Sequence, residues 1–458
     1  MKGQQTLSSI WQATGLPVEA LNLIQLTGSD PVFSSSFAVG TAAQASIAAA
    51  ALAACEVGHQ RGTPRQKVAV DMLHAAQECS GWFSLNGVAP DIWDKFSGIY
   101  RCADGWVRIH ANFAHHREGT LKLLGLDASV ADRADAERAI LDWRAIDFET
   151  VSANAGMVAA ALRSFDEWDA TEQGRAVAAQ PLFTIKRIGD APPLALPVLS
   201  MQHRPLAGVR VLDLTRILAG PVAGRALAAY GADVMLINSP NLPNIAAIAD
   251  TSRGKRSAHA DLRTARGQAA LNGLLSDAHV FIQGYRPGGL QNLGFGPLDA
   301  IKKRPGLVYA SLSAYGPKGP WAARRGFDSL LQTAMGFNHA EGQAAGDGKP
   351  RALPMQILDQ ASAYVMATGA AAALWHQQHE GGSWHVEVSL TQTAHWLRSL
   401  GRVPSGLHTN KPDLKPFLER SDSGFGELLA VRPSAQLERT PAGYELVSVL
   451  PGFSLAEW

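Results

Sequence analysis

Two segments of the chain, residues 41–72 and 359–390, share one pattern. Each begins with an Ala-rich stretch that holds almost no charge, passes through a polar turn and ends in a short run with alternating valines. These valines are Val68 and Val70 in the first copy and Val386 and Val388 in the second. A helix that is apolar all round must be covered by protein. The pattern therefore predicts an internal repeat in which each copy is a buried helix followed by a strand.

Composition limits the partners of the chain. With 458 residues, 46% of them hydrophobic, it is long enough for two or three globular units. Lys plus Arg number 41 and Asp plus Glu number 40, so no bulk charge favours nucleic acid or an anionic membrane. Three cysteines without CxxC spacing argue against a disulfide framework or structural zinc and indicate a reducing compartment. The first residues lack the apolar core of a signal peptide, so we expect a cytoplasmic protein.

Residues 38–55 are the one candidate for a membrane span. Their apolar character comes from Ala rather than Leu or Ile, and a Thr, a Gln and a Ser interrupt them. A buried helix is the favoured interpretation, and the second copy of the pattern supports it.

Strand-like and helix-like segments alternate between about residues 205 and 350. Predicted strands occur at 209–214, 233–237, 277–283 and 306–313. Pro221 suits the first turn of a helix, and Gly231 suits its end. This alternation predicts right-handed βαβ units and a parallel sheet. No GxGxxG follows the first strand, and Asn238 stands where a nicotinamide dinucleotide site needs an acid, which disfavours a dehydrogenase.

Asp359 stands at the start of the second Ala-rich helix. A helix N-terminus favours an ionised carboxylate and offers backbone N–H groups to an oxyanion, so Asp359 is a candidate nucleophile. Asp is also a common N-cap, worth roughly 1 kcal/mol of helix stability, and this residue alone leaves both roles open. The matching position in the first copy is Thr41, or Gly40 if the turn is shifted by one, and neither carries a carboxylate.

Five motifs in series carry a family resemblance. They are GVRVLDLTRILAGP (208–221), RGKRSAHADLRT (253–264), GYRPGGLQNLGFG (284–296), YASLSAYGPKGP (309–320) and RRGFDSLLQTAMG (324–336). In this order and spacing, residues 205–402 resemble the class III CoA-transferase family, of the formyl-CoA and carnitine CoA-transferase type. The resemblance implies an α/β fold with a Rossmann-like parallel sheet domain and a smaller α+β domain.

The resemblance also implies an activity, the movement of CoA between an acyl-CoA thioester and a carboxylic acid. It makes Asp359 the nucleophile, which forms aspartyl anhydride and aspartyl-CoA intermediates, and Val386 follows it at a spacing of 386 − 359 = 27 residues, which fits the family. It implies CoA or acyl-CoA as substrate, no tightly bound cofactor, no metal and a homodimer.

The family order is rearranged in this chain. Residues 98–113 and 182–197 resemble the family's small domain and C-terminal return segment, which ordinarily follow the nucleophile half but here precede it. We therefore expect a trimmed tandem fusion. Its predicted parts are an N-terminal lead (1–34), a segment like the family C-terminal half with the small domain (35–200), a linker (201–205), a CoA-binding and nucleophile segment (206–402) and a tail (403–458).

Carried over by position, the family's CoA contacts fall on four short stretches. They are Leu218 and Ala219; Ala260, Asp261, Leu262 and Arg263; Gly284, Tyr285 and Arg286; and Arg325, Gly326, Phe327 and Asp328. Arg263 and Arg286 are the cations expected at the CoA phosphates, although each alone is equally consistent with a solvated surface arginine. Arg256 is an alternative ion-pair partner of Asp261. Ser239 and Asn292 stand where relatives often carry arginine, which implies weaker CoA binding.

Other features bear on the choice of function. Racemase relatives carry a His at the position of Phe327, and because Phe cannot carry a proton, the resemblance favours transfer over racemisation. A non-catalytic acyl-CoA-binding or partner-binding protein is the alternative of a different class. His376 and His379 lack a third metal ligand nearby, and the adjacent His115 and His116 are expected on different faces of any regular element.

Overall fold

The computed structural model describes residues 2–458. The α-helices are α1 (Lys2–Gln12), α2 (Val39–Gln60), α3 (Met72–Ser80), α4 (Ala114–Leu123), α5 (Arg133–Ile140), α6 (Ala145–Asn154), α7 (Phe165–Asp169), α8 (Glu172–Ala178), α9 (Ala219–Ala229), α10 (Ile248–Thr251), α11 (Ala265–Asp277), α12 (Pro297–Lys303), α13 (Asp328–Ala334), α14 (Phe337–Ala345), α15 (Ile357–Glu380) and α16 (Leu390–Ser399). The strands are β1 (Ile24–Thr27), β2 (Val68–Asp71), β3 (Phe83–Leu85), β4 (Gly98–Cys102), β5 (Gly105–Ile109), β6 (Ala159–Ala161), β7 (Phe183–Gly189), β8 (Arg210–Leu214), β9 (Asp233–Asn238), β10 (Lys255–His259), β11 (Val280–Gln283), β12 (Val308–Ser313), β13 (Ser383–Ser389), β14 (Leu418–Ser421), β15 (Leu428–Val431) and β16 (Ala435–Leu437).

A seven-stranded, largely parallel sheet forms the centre of an α/β fold. Its strand order is β10-β9-β8-β11-β12-β13-β7. The first six strands are parallel, as the strand-helix alternation predicts, and β7 pairs antiparallel to β13 with Phe183 opposite Val388. The order reverses between β8 and β11, since the chain proceeds outward from β8 to β10 and then outward again from β11 to β13. Such a reversal opens a crevice at the carboxyl ends of the strands.

The predicted repeat is present in the structure. The Ala-rich helices α2 and α15 pack along each other and belong to one hydrophobic core, which also includes α9. Strand β2 follows α2, and β13 follows α15. Helix α2 has the length and apolar composition needed to cross a membrane, and its apolar stretch is completely buried in the fold.

The segments before and after the sheet are interleaved with it. Strand β7 comes from the N-terminal half but completes the edge of the central sheet. The tail strands β16 and β15 pair with β2 and β3 of the N-terminal half, so residues 403–458 do not form a separate unit. A smaller α+β unit, with strands β4, β5 and β6, has its own core from Phe96 to Phe148.

A buried ion pair fixes α9 against the carboxyl end of β8. Lys255 Nζ donates to Asp213 Oδ2 at 2.8 Å, and both side chains are inaccessible to solvent. Lys255 also donates to the Pro221 carbonyl on α9, at 2.7 Å. Helix α9 needs a glycine at position 224, because a Cβ there would overlap Asp213 Oδ2. The start of α9 is thereby held beside the crevice in the sheet.

Candidate active site

Asp359 lies in the first turn of α15 as its third residue. The N-cap is Gln356, whose side chain makes no capping hydrogen bond, so Asp359 is not the cap of its own helix. Buried side chains surround it on α15, including Leu358 and Gln360, but Asp359 keeps part of its surface open. Asp359 is therefore the residue of this helix turn that solvent still reaches in part.

A second carboxylate, that of Asp328, caps α15 from outside the helix. Its Oδ2 accepts the N–H of Asp359 at 2.9 Å, and it also accepts the N–H of Leu358. Its Oδ1 accepts Gln332 Nε2 at 2.6 Å. Gln332 in turn accepts the N–H of Leu353 at 2.9 Å, so one side chain ties α13 to the segment that leads into α15. Asp328 was expected to contact CoA, whereas the structure gives it this capping role.

Both carboxylates have a raised pKa, chiefly because they are buried. Burial, and then the charge of Asp328, raise the pKa of Asp359 well above its usual range. Burial raises the pKa of Asp328 to about 6, although the N–H groups of Asp359 and Leu358 and the Gln332 amide oppose the shift. We expected the helix N-terminus to keep Asp359 ionised and its N–H free for an oxyanion. Instead, Asp328 takes up that N–H, and low solvation outweighs the helix dipole.

A cavity of about 330 Å³ opens at the carboxyl ends of β8, β9, β11 and β12, where the strand order reverses. Six of the residues predicted to contact CoA line it. They are Gly284, Tyr285, Arg286, Arg325, Gly326 and Phe327. Phe327 directly precedes Asp328 in the chain, and neither Asp328 nor Asp359 is among the lining residues.

Four arginines line this cavity, and none forms a salt bridge with a carboxylate of residues 2–458. They are Arg216, Arg286, Arg324 and Arg325. Arg216 donates to the Pro243 carbonyl, Arg325 Nη1 lies 2.7 Å from His116 Nε2, and Arg324 stacks over Trp321. The positive charge of Arg286, after burial, lowers the pKa of Arg325. Clustered cations without counter-ions attract an anionic ligand, and two of the four, Arg216 and Arg324, were not among the residues predicted to contact CoA.

The other predicted CoA contacts are not among the residues that line the cavity. Leu218 is the N-cap of α9, and Ala219, the first residue of that helix, is buried. Asp261 accepts Arg263 Nε at 2.9 Å and Asn241 Nδ2 at 2.9 Å, and the hydrogen bonds from the Arg263 side chain and backbone lower the pKa of Asp261 to about 2. Of residues 260–263, none lines the cavity. Arg256 pairs with Asp233 rather than with Asp261.

The small α+β unit supplies one wall of the site. The His110 ring stacks on Phe327 with centroids 4.0 Å apart, and burial lowers the pKa of His110 to about 3, so this ring is neutral. His115 and His116 both line the cavity with their rings 4.1 Å apart, so our expectation that they face apart was wrong. The residues before the pair, Phe113 and Ala114, did not indicate that both histidines lie at one cavity. Helix α4 reaches the cavity only in the folded chain.

Ile217 shows backbone strain at the same cavity. Its φ is +77°, a conformation that is rare for a β-branched residue, and its side chain lines the cavity between Arg216 and Leu218. Strain of this kind is concentrated at ligand sites. The sequence analysis did not single out Arg216 and Ile217. Their position, two and three residues after the end of β8, could have indicated that they lie at the carboxyl end of the sheet.

The sequence profile described as CoA-transferase family III matches residues 16–203 and 206–404. The chain belongs to this family. The two matched segments fit the tandem arrangement, and the break between them falls in the predicted linker 201–205.

Several curated relatives of this family III chain are named as CoA-transferases. An acyl-CoA transferase of Gibberella moniliformis is 31% identical over 73% of this chain and 66% of its own length. A probable fatty acyl-CoA transferase of Mycobacterium tuberculosis is 34% identical over 54% of this chain and 65% of its own length. A succinate–glutarate CoA-transferase of Agrobacterium fabrum is 31% identical over 51% of this chain and 65% of its own length. The chain thus spans less than two thirds of the length of each.

A crystal structure of the M. tuberculosis protein matches this family III chain with a TM-score of 0.40 and 34% identity. The match covers 43% of this chain and 57% of the other.

Among residues 2–458 there is no group of three or more His, Cys, Asp or Glu side chains that could hold a metal ion. His376 is used structurally, since its Nε2 lies 2.8 Å from the Thr14 carbonyl and its Nδ1 lies 3.0 Å from Glu380.

Proposed function

We propose that this protein transfers CoA between an acyl-CoA thioester and a free carboxylic acid, with Asp359 as the nucleophile. One observation carries the proposal: four arginines without salt bridges line a cavity that also includes Phe327, the residue before Asp328, and the Asp328 carboxylate accepts the N–H of the partly exposed Asp359. The curated relatives named as CoA-transferases support the same class of reaction.

The proposed chemistry conserves the thioester. The Asp359 carboxylate attacks the acyl-CoA carbonyl, a C–O bond forms, the C–S bond breaks, and a mixed anhydride and CoA thiolate result. The thiolate attacks the Asp359 acyl carbon and releases the donor acid, leaving an aspartyl-CoA thioester. The acceptor carboxylate then attacks this thioester and displaces the thiolate, which finally attacks the acceptor acyl carbon. The products are a new acyl-CoA and the free Asp359 carboxylate.

The side chains around Asp359 have distinct roles in this scheme. Arg216, Arg286, Arg324 and Arg325 bind the phosphates of CoA, whose charge needs cations and donors. Asp328 is a positioning residue, because it holds the backbone of Asp359 and its charge raises the pKa of the nucleophile. A more basic carboxylate is a stronger nucleophile once it is ionised. Phe327 cannot exchange a proton, so we propose no racemase activity.

Replacing Asp359 with Asn tests the proposal. The amide keeps the shape of the side chain but is not a nucleophile, so Asp359→Asn should abolish transfer from any accepted acyl-CoA while CoA still raises the melting temperature. Thr41→Ala is the matched control, because Thr41 holds the same third position in α2 that Asp359 holds in α15. Wild-type turnover by Asp359→Asn would contradict the nucleophile assignment.

The same measurements distinguish CoA transfer from the alternative function, binding of acyl-CoA without catalysis. Stabilisation follows RT ln(1 + [L]/Kd), about 2.7 kcal/mol at a hundredfold excess of ligand over Kd. CoA-dependent stabilisation of the wild type without turnover of any acyl-CoA and acid pair would support binding alone. We further propose that the protein is a cytoplasmic homodimer. Size-exclusion chromatography with light scattering tests the oligomeric state.

A further inference from the structure

Ser311 on β12 and His385 on β13 form a hydrogen-bonded pair outside the site described above. Ser311 Oγ lies 2.8 Å from His385 Nε2. The two strands are parallel, and Ser311 stands opposite Glu387, two residues beyond His385. A serine hydroxyl within hydrogen-bond reach of an imidazole is the arrangement in which a base activates a nucleophile.

The pair lies on the face of the sheet opposite to α15. Leu312 and Val386 directly follow Ser311 and His385 in the two strands, and both belong to the core that includes α15. Successive residues of a strand face opposite sides of a sheet, so Ser311 and His385 point away from α15. Glu387 lies on the same face as His385, because it is two residues further along β13.

A cavity of about 210 Å³ covers this face of the sheet. Ser311, His385 and Glu387 all line it, together with Tyr285 and Arg286. Arg286 also lines the larger cavity that holds four arginines, so the two cavities adjoin at this residue. Ser311 and His385 are both partly exposed, which leaves the nucleophile and the base open to a small molecule in the cavity.

The charges around His385 suit a general base. Burial lowers the pKa of His385, the charge of Glu387 opposes this shift, and the charge of Lys186 adds to it. The ring is therefore neutral near pH 7 and can accept a proton. The charge of Glu387, whose Oε2 lies 3.4 Å from Lys186 Nζ, favours the imidazolium that then forms. Arg286, which forms no salt bridge with a carboxylate of residues 2–458, supplies positive charge for an oxyanion in the same cavity.

We propose that Ser311 and His385 hydrolyse esters of short carboxylic acids in this cavity, an activity separate from CoA transfer. His385 Nε2 takes the Ser311 proton while Oγ bonds to the ester carbonyl carbon. The bond from that carbon to the alcohol oxygen breaks, and the alcohol leaves with the proton from Nε2. Water then attacks the acyl-serine and gives a proton to Nε2. The acid is released as this proton returns to Ser311 Oγ.

A fluorophosphonate probe, which reacts with serine hydroxyls that a base activates, tests the inference on the full chain. We expect the probe to label Ser311 in the wild type, as mapped by peptide mass spectrometry. His385→Gln should slow this labelling by about 100-fold or more. Ser313→Ala is the matched control and should leave the labelling of Ser311 unchanged. Ser313 lines the same cavity from the same strand but forms no hydrogen bond with a histidine among residues 2–458.

Hydrolysis of p-nitrophenyl acetate gives a second measurement. Ser311→Ala and His385→Gln should each lose about 100-fold or more in kcat/KM. Glu387→Gln should retain more activity and should move the acid limb of kcat/KM to lower pH, because loss of the negative charge lowers the pKa of His385. An unmoved acid limb would overturn the role of Glu387.

Three labelling results would overturn the inference: no label on the wild type, a label on a residue other than Ser311, or equal labelling rates in the wild type and His385→Gln. Ester hydrolysis that is lost in Asp359→Asn but kept in Ser311→Ala would assign the activity to the carboxylate and would also overturn it. Labelling of the wild type needs no substitution, so the test does not depend on whether the variants fold.

Discussion

Asp328 and Asp359 form a carboxylate pair in which each residue has a different task. Asp328 is completely buried and satisfied by hydrogen bonds, whereas Asp359 is partly exposed and has an unoccupied carboxylate. Two neighbouring carboxylates do not ionise independently, so the pair should titrate over a broad range above the usual pKa of Asp. In the proposed mechanism, the pH dependence of transfer therefore reports on the pair and not on either residue alone.

The first prediction concerns this pair. Asp328→Asn removes a like charge from Asp359 and lowers the pKa of the nucleophile, so the acid limb of kcat/KM should move to lower pH. The Asn carbonyl can still accept the N–H of Asp359, which retains the geometry. An unchanged acid limb would show that Asp328 does not influence the nucleophile electrostatically.

The free energy of unfolding of the wild type should also depend on pH, and this dependence should be weaker in Asp328→Asn. The pKa of Asp328 is raised from 3.8 to about 6 on folding, so the folded state holds the proton more tightly than the unfolded state. The resulting stabilisation is complete below the unfolded pKa and is lost as pH rises through about 6. Urea unfolding should show this loss between pH 4 and 7 in the wild type and a flatter profile in Asp328→Asn.

The second prediction distinguishes two arginines that the sequence made equivalent. Arg286 is exposed at the cavity without a counter-ion, whereas Arg263 is bound to Asp261 and lies outside the cavity. Arg286→Ala should weaken CoA binding by about 1.5 to 3 kcal/mol, and Arg263→Ala should have a smaller effect. Calorimetric titration with CoA measures both. A larger loss of CoA affinity in Arg263→Ala than in Arg286→Ala would indicate that the phosphates bind near residues 260–263.

Single residues differ in how far the sequence could define them. Asp359 and Arg286 could be identified because each stands in a segment that resembles the family. The stacking of His110 on Phe327 could not, because it depends on how the small α+β unit packs in the fold, which no sequence pattern records. The role of Asp328 was also hidden, since it caps a helix that begins 29 residues later in the chain (357 − 328).

At the scale of elements, both Ala-rich helices are capped in the same way. Asp30 accepts the N–H groups of Gly40 at 3.0 Å and Thr41 at 2.9 Å, just as Asp328 accepts those of Leu358 and Asp359. The N-cap residues themselves, Ala38 and Gln356, contribute no side-chain hydrogen bond. An acid from a preceding segment thus replaces the usual N-cap in both copies of the repeat.

The third prediction follows from this shared cap. Asp30→Ala should lower the free energy of unfolding by about 1 to 2 kcal/mol, because two N–H groups of α2 and the Thr41 hydroxyl lose their acceptor. Thr41→Val, which removes one donor and leaves the cap, should cost less. Chemical denaturation of both variants gives the comparison, and equal stability of Asp30→Ala and the wild type would refute the capping role.

Local periodicity predicted the helices and the parallel strands well, but it did not predict every pairing between strands. The runs at β8, β9, β11 and β12 are short, apolar and separated by helices, so their type and order could be recognised. Strand β7 instead joins the sheet through pairing with β13, some 200 residues away in sequence (383 − 183). Pairing at such separation depends on the whole fold and leaves no periodic signal in β7 itself.

At the scale of the whole molecule, the two halves share one core. Residues of α2 and α15 belong to the same hydrophobic cluster, β7 completes the central sheet, and the tail strands return to the N-terminal half. The small unit supplies His110, His115 and His116 at the site, while the carboxylate pair comes from the other half. Neither half contains a complete site.

The last prediction is that the halves fold only together. A fragment of residues 205–458 would expose the apolar surface of α15 that α2 covers, together with the edge of β13 that β7 covers, and its own tail strands would lack their partners β2 and β3. It should therefore aggregate or unfold without a cooperative transition. The fragments 1–204 and 205–458 produced together should associate and regain CoA-dependent stabilisation, because the interface between them is the core itself. A soluble 205–458 fragment that unfolds cooperatively and transfers CoA would contradict this dependence.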